Sequence, residues 1–201
     1  MKLFYSSRSP FVRKVLITAH EVGLADKIEL LSSSAHSVER DRTIIAHNPL
    51  GQVPTMILDD GTMLADSGVI CAYLDNIGSG AMFPEVGKMR WQALVDQAMS
   101  DGLMTASLIV RYEVAMRPEA CFWQAWLDAH LDKIGTTLKA FERHAGAYGD
   151  RFDIGLASLA SALSYLDLRF ENLAWRNRYP ALAAWYARLQ DRPSIRATAL
   201  S

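Results

Sequence analysis

The chain has 201 residues and a formal net charge of −1; 50% of its residues are hydrophobic and 21% are charged. That length fits one large domain or two small ones packed together, and the balance is that of an ordinary globular protein. No global basic field, and no interleaving of aromatics with Lys/Arg clusters, points to nucleic acid. No stretch approaches the ~20 apolar residues needed to span a bilayer, so a membrane partner is not expected either.

Met1-Lys2 leads directly into Leu3-Phe4-Tyr5. A secretory leader needs a longer apolar region and a small-residue cleavage site, so a cytoplasmic protein is expected. Lys2 to Tyr5 reads as a buried strand. Ser9-Pro10 then opens a helix, because Ser is favoured as an N-cap and Pro at the first helical position. Val12, Val15, Leu16 and Ala19 form its apolar face, and Gly23 ends it. Ile28 to Leu31 is a second strand. Residues 32–47 are polar and read as loop plus a short helix. Thr55–Leu58 and Thr62–Leu64 form a hairpin around Asp59-Asp60-Gly61, a strong turn signal. Ser67 to Ile77 is a further helix.

Gly78-Ser79-Gly80-Ala81-Met82-Phe83-Pro84 breaks the pattern. Beyond it almost everything is helical. Trp91, Leu94, Val95, Ala98, Met99, Gly102, Leu103 and Ala106 form one apolar stripe. Leu127, Leu131, Ile134, Leu138 and Phe141 form a second. Leu156, Leu159, Ala160, Leu163, Leu166 and Phe170 form a third. Leu182, Trp185, Tyr186 and Leu189 form a fourth, entered through Pro180 and closed before Pro193. The expected class is α/β plus all-α: an N-terminal domain over residues 1–77, a linker over 78–86 and an all-helical domain over 87–201.

Cys71 and Cys121 form no CxxC and no metal-ligand spacing, and both are expected to be small buried hydrophobes. The histidines at 20, 36, 47, 130 and 144 have no ligand spacing, so no metal is expected. There is no GxGxxG or Walker loop and no GxSxG elbow.

Three segments carry a resemblance: Ser9-Pro10-Phe11-Val12-Arg13-Lys14-Val15, Asn48-Pro49-Leu50-Gly51-Gln52-Val53-Pro54, and Leu64-Ala65-Asp66-Ser67-Gly68-Val69-Ile70-Cys71-Ala72-Tyr73-Leu74. In order and spacing, with an all-α second half, they resemble the glutathione S-transferase family. The Ser-Pro-Phe turn is similar to its serine-type, small bacterial members. The resemblance implies a thioredoxin-like N-terminal domain with a mixed four-stranded sheet. It also implies conjugation of glutathione, as co-substrate, to a small hydrophobic electrophile, the chemistry of detoxification. Such a site must hold an extended γ-Glu-Cys-Gly peptide and favour its thiolate, which is the nucleophile. Free thiols titrate near ~8.5. A hydroxyl donor and a helix N-terminus lower that value.

By resemblance Ser9 is that donor, with Ser6, Ser7 and Tyr5 as rivals; the plain alternative is a helix cap. The absence of Cys between Tyr5 and Pro10 excludes dithiol chemistry at this turn. Pro54 resembles the family's cis-proline, turning the Val53 backbone towards the cysteine unit of glutathione. Asp66 suits the γ-glutamyl ammonium, and Ser67 with its helix N-terminus suits the carboxylate. Phe11 and Gln52 complete the glutathione set, Gln52 or His36 serving the glycine carboxylate. Phe11, Met99, Leu103, Met104, Ser107, Tyr112 and Tyr165 are candidate walls for the second substrate. Arg111 is read as facing solvent. At Asp153-Ile154-Gly155-Leu156-Ala157-Ser158 the chain departs from the family's capping arrangement, with Gly155 at the cap position, so a weakened cap is expected. Relatives imply a homodimer. The rival readings are a non-catalytic binding or regulatory module on the same fold, and a glutathione-dependent isomerase, dehalogenase or peroxidase sharing the same site.

Overall fold

The computed structural model describes residues 1–80 and 82–200. Ala81 of the expected linker and Ser201 at the end of the expected helical domain lie outside the described residues. The chain opens with β1 (Lys2–Tyr5), α1 (Pro10–Glu21), β2 (Glu29–Ser32), the short α2 (Arg42–Ile45), β3 (Thr55–Ile57), β4 (Met63–Leu64) and α3 (Ser67–Ile77). It continues with α4 (Gly87–Met116), α5 (Gln124–Ala145), α6 (Ile154–Arg169), α7 (Trp175–Arg178), α8 (Pro180–Arg188) and α9 (Pro193–Ala197).

The mixed four-stranded sheet has the order β2-β1-β3-β4. β1 and β2 run parallel, Leu3 opposite Leu30. β1 and β3 are antiparallel, as are β3 and β4. The second strand starts one residue later than expected, at Glu29, because Ile28 still closes the preceding turn onto Ala25 O. The hairpin turns at Gly61, whose φ of +87° suits a residue without a Cβ. Leu3, Val12, Val15, Met56, Ile70 and Leu74 are buried in the core of the sheet half, while Ile17 is buried on the face of α1 that Arg13, Lys14 and Glu21 turn to the helical half. Each such side chain contributes about 1.5–3 kcal/mol of transfer free energy.

The first expected stripe of α4 is corrected. Trp91, Val95, Ala98 and Gly102 lie on its exposed face. The buried face is Ala93, Asp96, Gln97, Ser100, Leu103, Met104, Ala106, Ser107, Val110 and Glu113, so Leu103 and Ala106 of the expected stripe do lie in the core. Polar groups are tolerated there because they are satisfied: Ser100 Oγ donates to Asp96 O at 2.7 Å and Ser107 Oγ to Leu103 O at 2.8 Å. α6 is buried on nearly every side from Ile154 to Leu166. It is the central helix of this half, packed against α4 and α1, while α5 packs on α4 and α8.

The start of α6 also corrects an expectation. Asp153, not Gly155, is the N-cap, and its Oδ1 accepts from Gly155 N at 3.0 Å and Leu156 N at 3.2 Å. Arg151 bridges Asp153 and Asp96 of α4. The cap is therefore reinforced rather than weakened. Gly155 has a different duty: a Cβ there would stand 2.6 Å from Asp96 Cβ and 2.7 Å from Ala93 O. It lets α6 touch the backbone of α4.

Cys71 is enclosed in the core of α3, where Thr18 Oγ1 donates to its Sγ at 3.4 Å. Burial pushes its thiol up to about 11, against the opposing pull of Lys14 and Thr18. Cys121, expected to be buried, is exposed in a short 3-10 turn between α4 and α5.

Two tests follow from this packing. Gly155→Ala gains at most ~1 kcal/mol of helix propensity but overpacks the α4–α6 contact at a cost of about 1–3 kcal/mol. A lower urea midpoint at unchanged slope is expected; an equal or higher midpoint would refute the close-approach role. A thiol reagent should titrate Cys121 alone in the native protein and Cys71 as well in denaturant, so rapid native modification of both contradicts the burial of Cys71.

Candidate functional site

The site is built where β1 hands the chain to α1. Tyr5 ends the strand, and the Ser9 amide turns back to donate to Ser6 O at 3.1 Å. Ser9 has extended backbone angles and caps α1: its Oγ accepts from Val12 N at 3.3 Å. A hydroxyl has one proton and two lone pairs. Capping uses a lone pair, and the proton has no acceptor among the described residues. Capping and donation to a ligand are therefore compatible at Ser9. The unpaired amides of the first turn of α1 add positive potential beside it.

The rival hydroxyls sit elsewhere. Tyr5, Ser6 and Ser7 line a cavity of about 910 Å³ that also borders Ser33, His36 and Arg40. It opens at the carboxyl ends of the parallel strands β1 and β2. Ser9, Val53, Asp66 and Ser67 are not part of its lining. His36 is held by its own loop, Nδ1 accepting from Glu39 N at 2.9 Å and Val38 N at 3.3 Å.

The Val53–Pro54 peptide is cis. Val53 is half-buried, and its N–H and C=O have no protein partner among the described residues. Two buried groups that sequence reasoning did not single out hold this turn. Thr55 Oγ1 donates to Gln52 O at 2.7 Å, and Asn48 Nδ2 donates to Thr55 Oγ1 at 2.8 Å. The polar Asn48 ahead of Pro49 was the available signal. The Gln52 side chain is exposed.

Asp66 caps α3, its Oδ1 accepting from Gly68 N at 2.9 Å. Ala65–Asp66 is also a cis peptide. Asp66 is exposed and Ser67 is buried at the first turn of the helix. The Ser67 hydroxyl has no protein partner among the described residues. α3 therefore presents a carboxylate, a hydroxyl and free amides together.

Behind these groups lies an ion pair unmarked by any motif. The Lys14 side chain is wholly buried, and Nζ meets Asp101 Oδ1 at 2.7 Å and Oδ2 at 2.9 Å. Burial raises the Asp101 carboxyl, Lys14 opposes that, and the charge of Asp66 adds to it. Asp66 and Asp101 thus feel one another across the α3–α4 seam. Lys14 stands outside the Val12, Val15, Leu16 and Ala19 stripe of α1, so no local pattern marks it as buried.

The anchors of α1 set its direction relative to the helical half. At its carboxyl end Glu21 pairs with Arg192, whose guanidinium lies 4.0 Å over the Phe152 ring just before α6. Arg13 donates to Ile195 O at 3.1 Å. Lys14 meets Asp101. α1 therefore runs opposite to α4 and α6, with Ser9 directed towards their carboxyl-terminal halves. At ~1.5 Å per residue, Ser9 lies about 7 Å beyond Lys14, and Arg111 about 15 Å beyond Asp101.

Of the candidate walls, Leu103 and Met104 are fully enclosed core residues and Ser107 is buried with its hydroxyl spent on Leu103 O. Met99 and Phe11 are half-buried. Tyr112 is 36% exposed, and Tyr165 only 3%. Arg111 is half-buried rather than facing solvent. Burial pushes the Tyr165 phenol up to about 12, Tyr112 adds to this, and Arg169 and Arg111 oppose it. The Nε of Arg169 is enclosed without a partner. Among the described residues no cluster of His, Cys, Asp and Glu could hold a metal ion, and no helix is long and apolar enough to cross a membrane.

Residues 8–77 match the family model "Glutathione S-transferase, N-terminal domain" and residues 124–188 match "Glutathione S-transferase, C-terminal domain". A crystal structure of a glutathione transferase family member from Pseudomonas fluorescens Pf-5, with bound glutathione, is 41% identical with a TM-score of 0.96, over 100% of this chain and 98% of that one. A second structure from that organism, with bound S-(propanoic acid)-glutathione, is 40% identical with a TM-score of 0.91, over 100% of both chains. YibF of Escherichia coli K12, described as an uncharacterized GST-like protein, is 29% identical over 98% of each chain.

Proposed function

The chain belongs to the glutathione S-transferase family, and from that premise we propose that it binds glutathione, stabilises its thiolate and conjugates it to a small electrophile with an apolar body. The observation that carries this reading is Ser9: its hydroxyl caps α1 through a lone pair and keeps its proton for the sulfur. Asp66 takes the γ-glutamyl ammonium, and Ser67 with the α3 amides takes the adjoining carboxylate. The free Val53 backbone pairs with the cysteine unit as one rung of a sheet. Phe11 flanks the peptide, and Gln52 or His36 meets the glycine carboxylate. Both Pseudomonas fluorescens neighbours, one with glutathione and one with a glutathione conjugate, support this assignment.

Ser9 is not itself a nucleophile. The glutathione sulfur attacks the electrophilic carbon with its lone pair; the new C–S bond forms as the leaving group departs with the old bonding pair, or as a π bond shifts and is protonated. The protein's contribution is to raise the thiolate fraction near neutral pH and to orient it. Residues 1–77 form the glutathione domain, 78–86 the linker and 87–201 the second-substrate domain. Met99 and Tyr112 face the second pocket from the helical half, while Leu103, Met104, Ser107 and Tyr165 are buried core behind that wall and do not line it. A cytoplasmic location completes the reading.

A homodimer explains the exposed apolar stripe of α4. Trp91 is 66% exposed, Val95 51% and Met89 51%. Such a stripe facing water is the mark of an interaction surface.

Calorimetry and thiolate absorbance test the site. Wild type should bind glutathione and lower its thiol pKa. Ser9→Ala should leave binding nearly intact, raise that pKa and lower turnover about 10- to 100-fold, while Ser9→Thr retains most of both. Asp66→Ala should weaken binding about tenfold or more. Absence of any glutathione binding at millimolar concentration sinks the enzyme reading in favour of an interaction module. In sedimentation, Trp91→Glu should convert a dimer to monomer; a wild-type monomer at micromolar concentration refutes the dimer.

A further inference from the structure

We propose that Gln97 of α4 is a further binding residue for the γ-glutamyl end of glutathione, its side-chain amide donating to the α-carboxylate beside Ser67. This rests on the glutathione-binding reading above and adds a residue from the helical half to that site.

Burial and hydrogen bonding single out the position. Gln97 is 8% exposed and Ser67 2%. Among the described residues every other buried Ser, Thr, Asn, Asp, Glu, His, Lys or Arg side chain has a hydrogen-bond partner; these two have none. The neighbours of Gln97 on the buried face of α4 follow the rule it breaks. Asp96 meets Arg151, and Ser100 Oγ donates to Asp96 O. A polar group taken out of water without a new partner is costly, and native proteins seldom leave one so.

The two unpaired groups stand at one place, the first turn of α3. A Cβ built on Gly68 would lie 3.3 Å from Gln97 Nε2 and 3.2 Å from Asp66 Oδ1. The Gln97 amide is therefore seated against the residue that follows Ser67, and the missing side chain at Gly68 leaves it room. Its depth is fixed, because Asp101, one turn further along α4, is held by the buried Lys14. Ser67 brings a hydroxyl proton, Gln97 two amide protons and α3 the unpaired N–H groups of its positive end. What these donors lack is an acceptor. A carboxylate has about four lone-pair sites and takes several donors at once. The α-carboxylate of the γ-glutamyl unit fits, and the ammonium on the same carbon is left to Asp66.

Calorimetry tests the assignment with two ligands: glutathione, and the analogue whose γ-glutamyl α-carboxylate is a carboxamide. Wild type should prefer glutathione by about tenfold or more. Gln97→Met keeps the length of the side chain; it should weaken glutathione about tenfold, weaken the carboxamide less and so shrink the preference. Gln97→Glu sets a negative charge against that of the ligand and should shrink it further. Without ligand, Gln97→Met should unfold at an equal or higher urea concentration, since it removes a buried amide that has no partner. Equal wild-type affinities for the two ligands, or a preference unchanged in the variants, overturn this proposal alone. An equal loss for both ligands with a lower urea midpoint marks a packing role and overturns it too. Should Gln97→Met fail to fold, Gln97→Glu carries the same comparison. No binding of glutathione by wild type overturns the parent reading and this one with it.

Discussion

The Lys14 ammonium has no access to water, and the Asp101 carboxylate answers its charge through both oxygens. A buried cation without that partner would cost several kcal/mol, so the pair fixes how α1 meets α4. The remaining features of the site depend on that contact. α1 carries Ser9 at one end and Glu21 at the other, and the Glu21–Arg192 pair closes the far end against the start of α6. With both ends anchored, the Ser9 hydroxyl stands at one level along the helical half. The same pair sits behind the first turn of α3. The cap of α1 at Ser9 and the cap of α3 at Asp66 therefore meet the same ion pair.

Much of the sheet half was legible in the sequence because its signals are local. Ser9-Pro10 marks a cap, Asp60-Gly61 a hairpin turn and Asp66-Ser67 a second cap, and each acts within a few residues of itself. The α4 stripe was misread because periodicity reports an apolar face without saying what covers it. Trp91 and Val95 are as apolar as a core residue. The true core face holds Asp96, Gln97 and Ser100, whose burial depends on Arg151 and on backbone carbonyls far from them in the chain. Gly155 was misread for a related reason: its small size serves a contact with Ala93 on another helix, and a local capping rule cannot see it.

The alternation of α/β then all-α, by contrast, follows from the change in hydrophobic period near residue 78, and the architecture agrees with it.

Net charge and local field part ways in this molecule. A formal charge of −1 argues against polyanionic partners, yet the ligand assigned to the site is itself an anion with two carboxylates and a thiolate. The positive potential it needs is arranged locally. Two helix N-termini face it, at Ser9 and at Asp66-Ser67. Arg40 and Arg42 border the neighbouring cavity. Asp66 interrupts this field with a carboxylate, which the proposed function matches to the ligand's ammonium. A site of this kind discriminates by the order of charges along it, negative beside the γ-glutamyl nitrogen and positive elsewhere. That order is set by which helix ends the fold brings together. It survives a whole-molecule balance near zero because the compensating acids, Glu21, Asp96, Asp153 and Asp167, are spent in ion pairs that hold the helices.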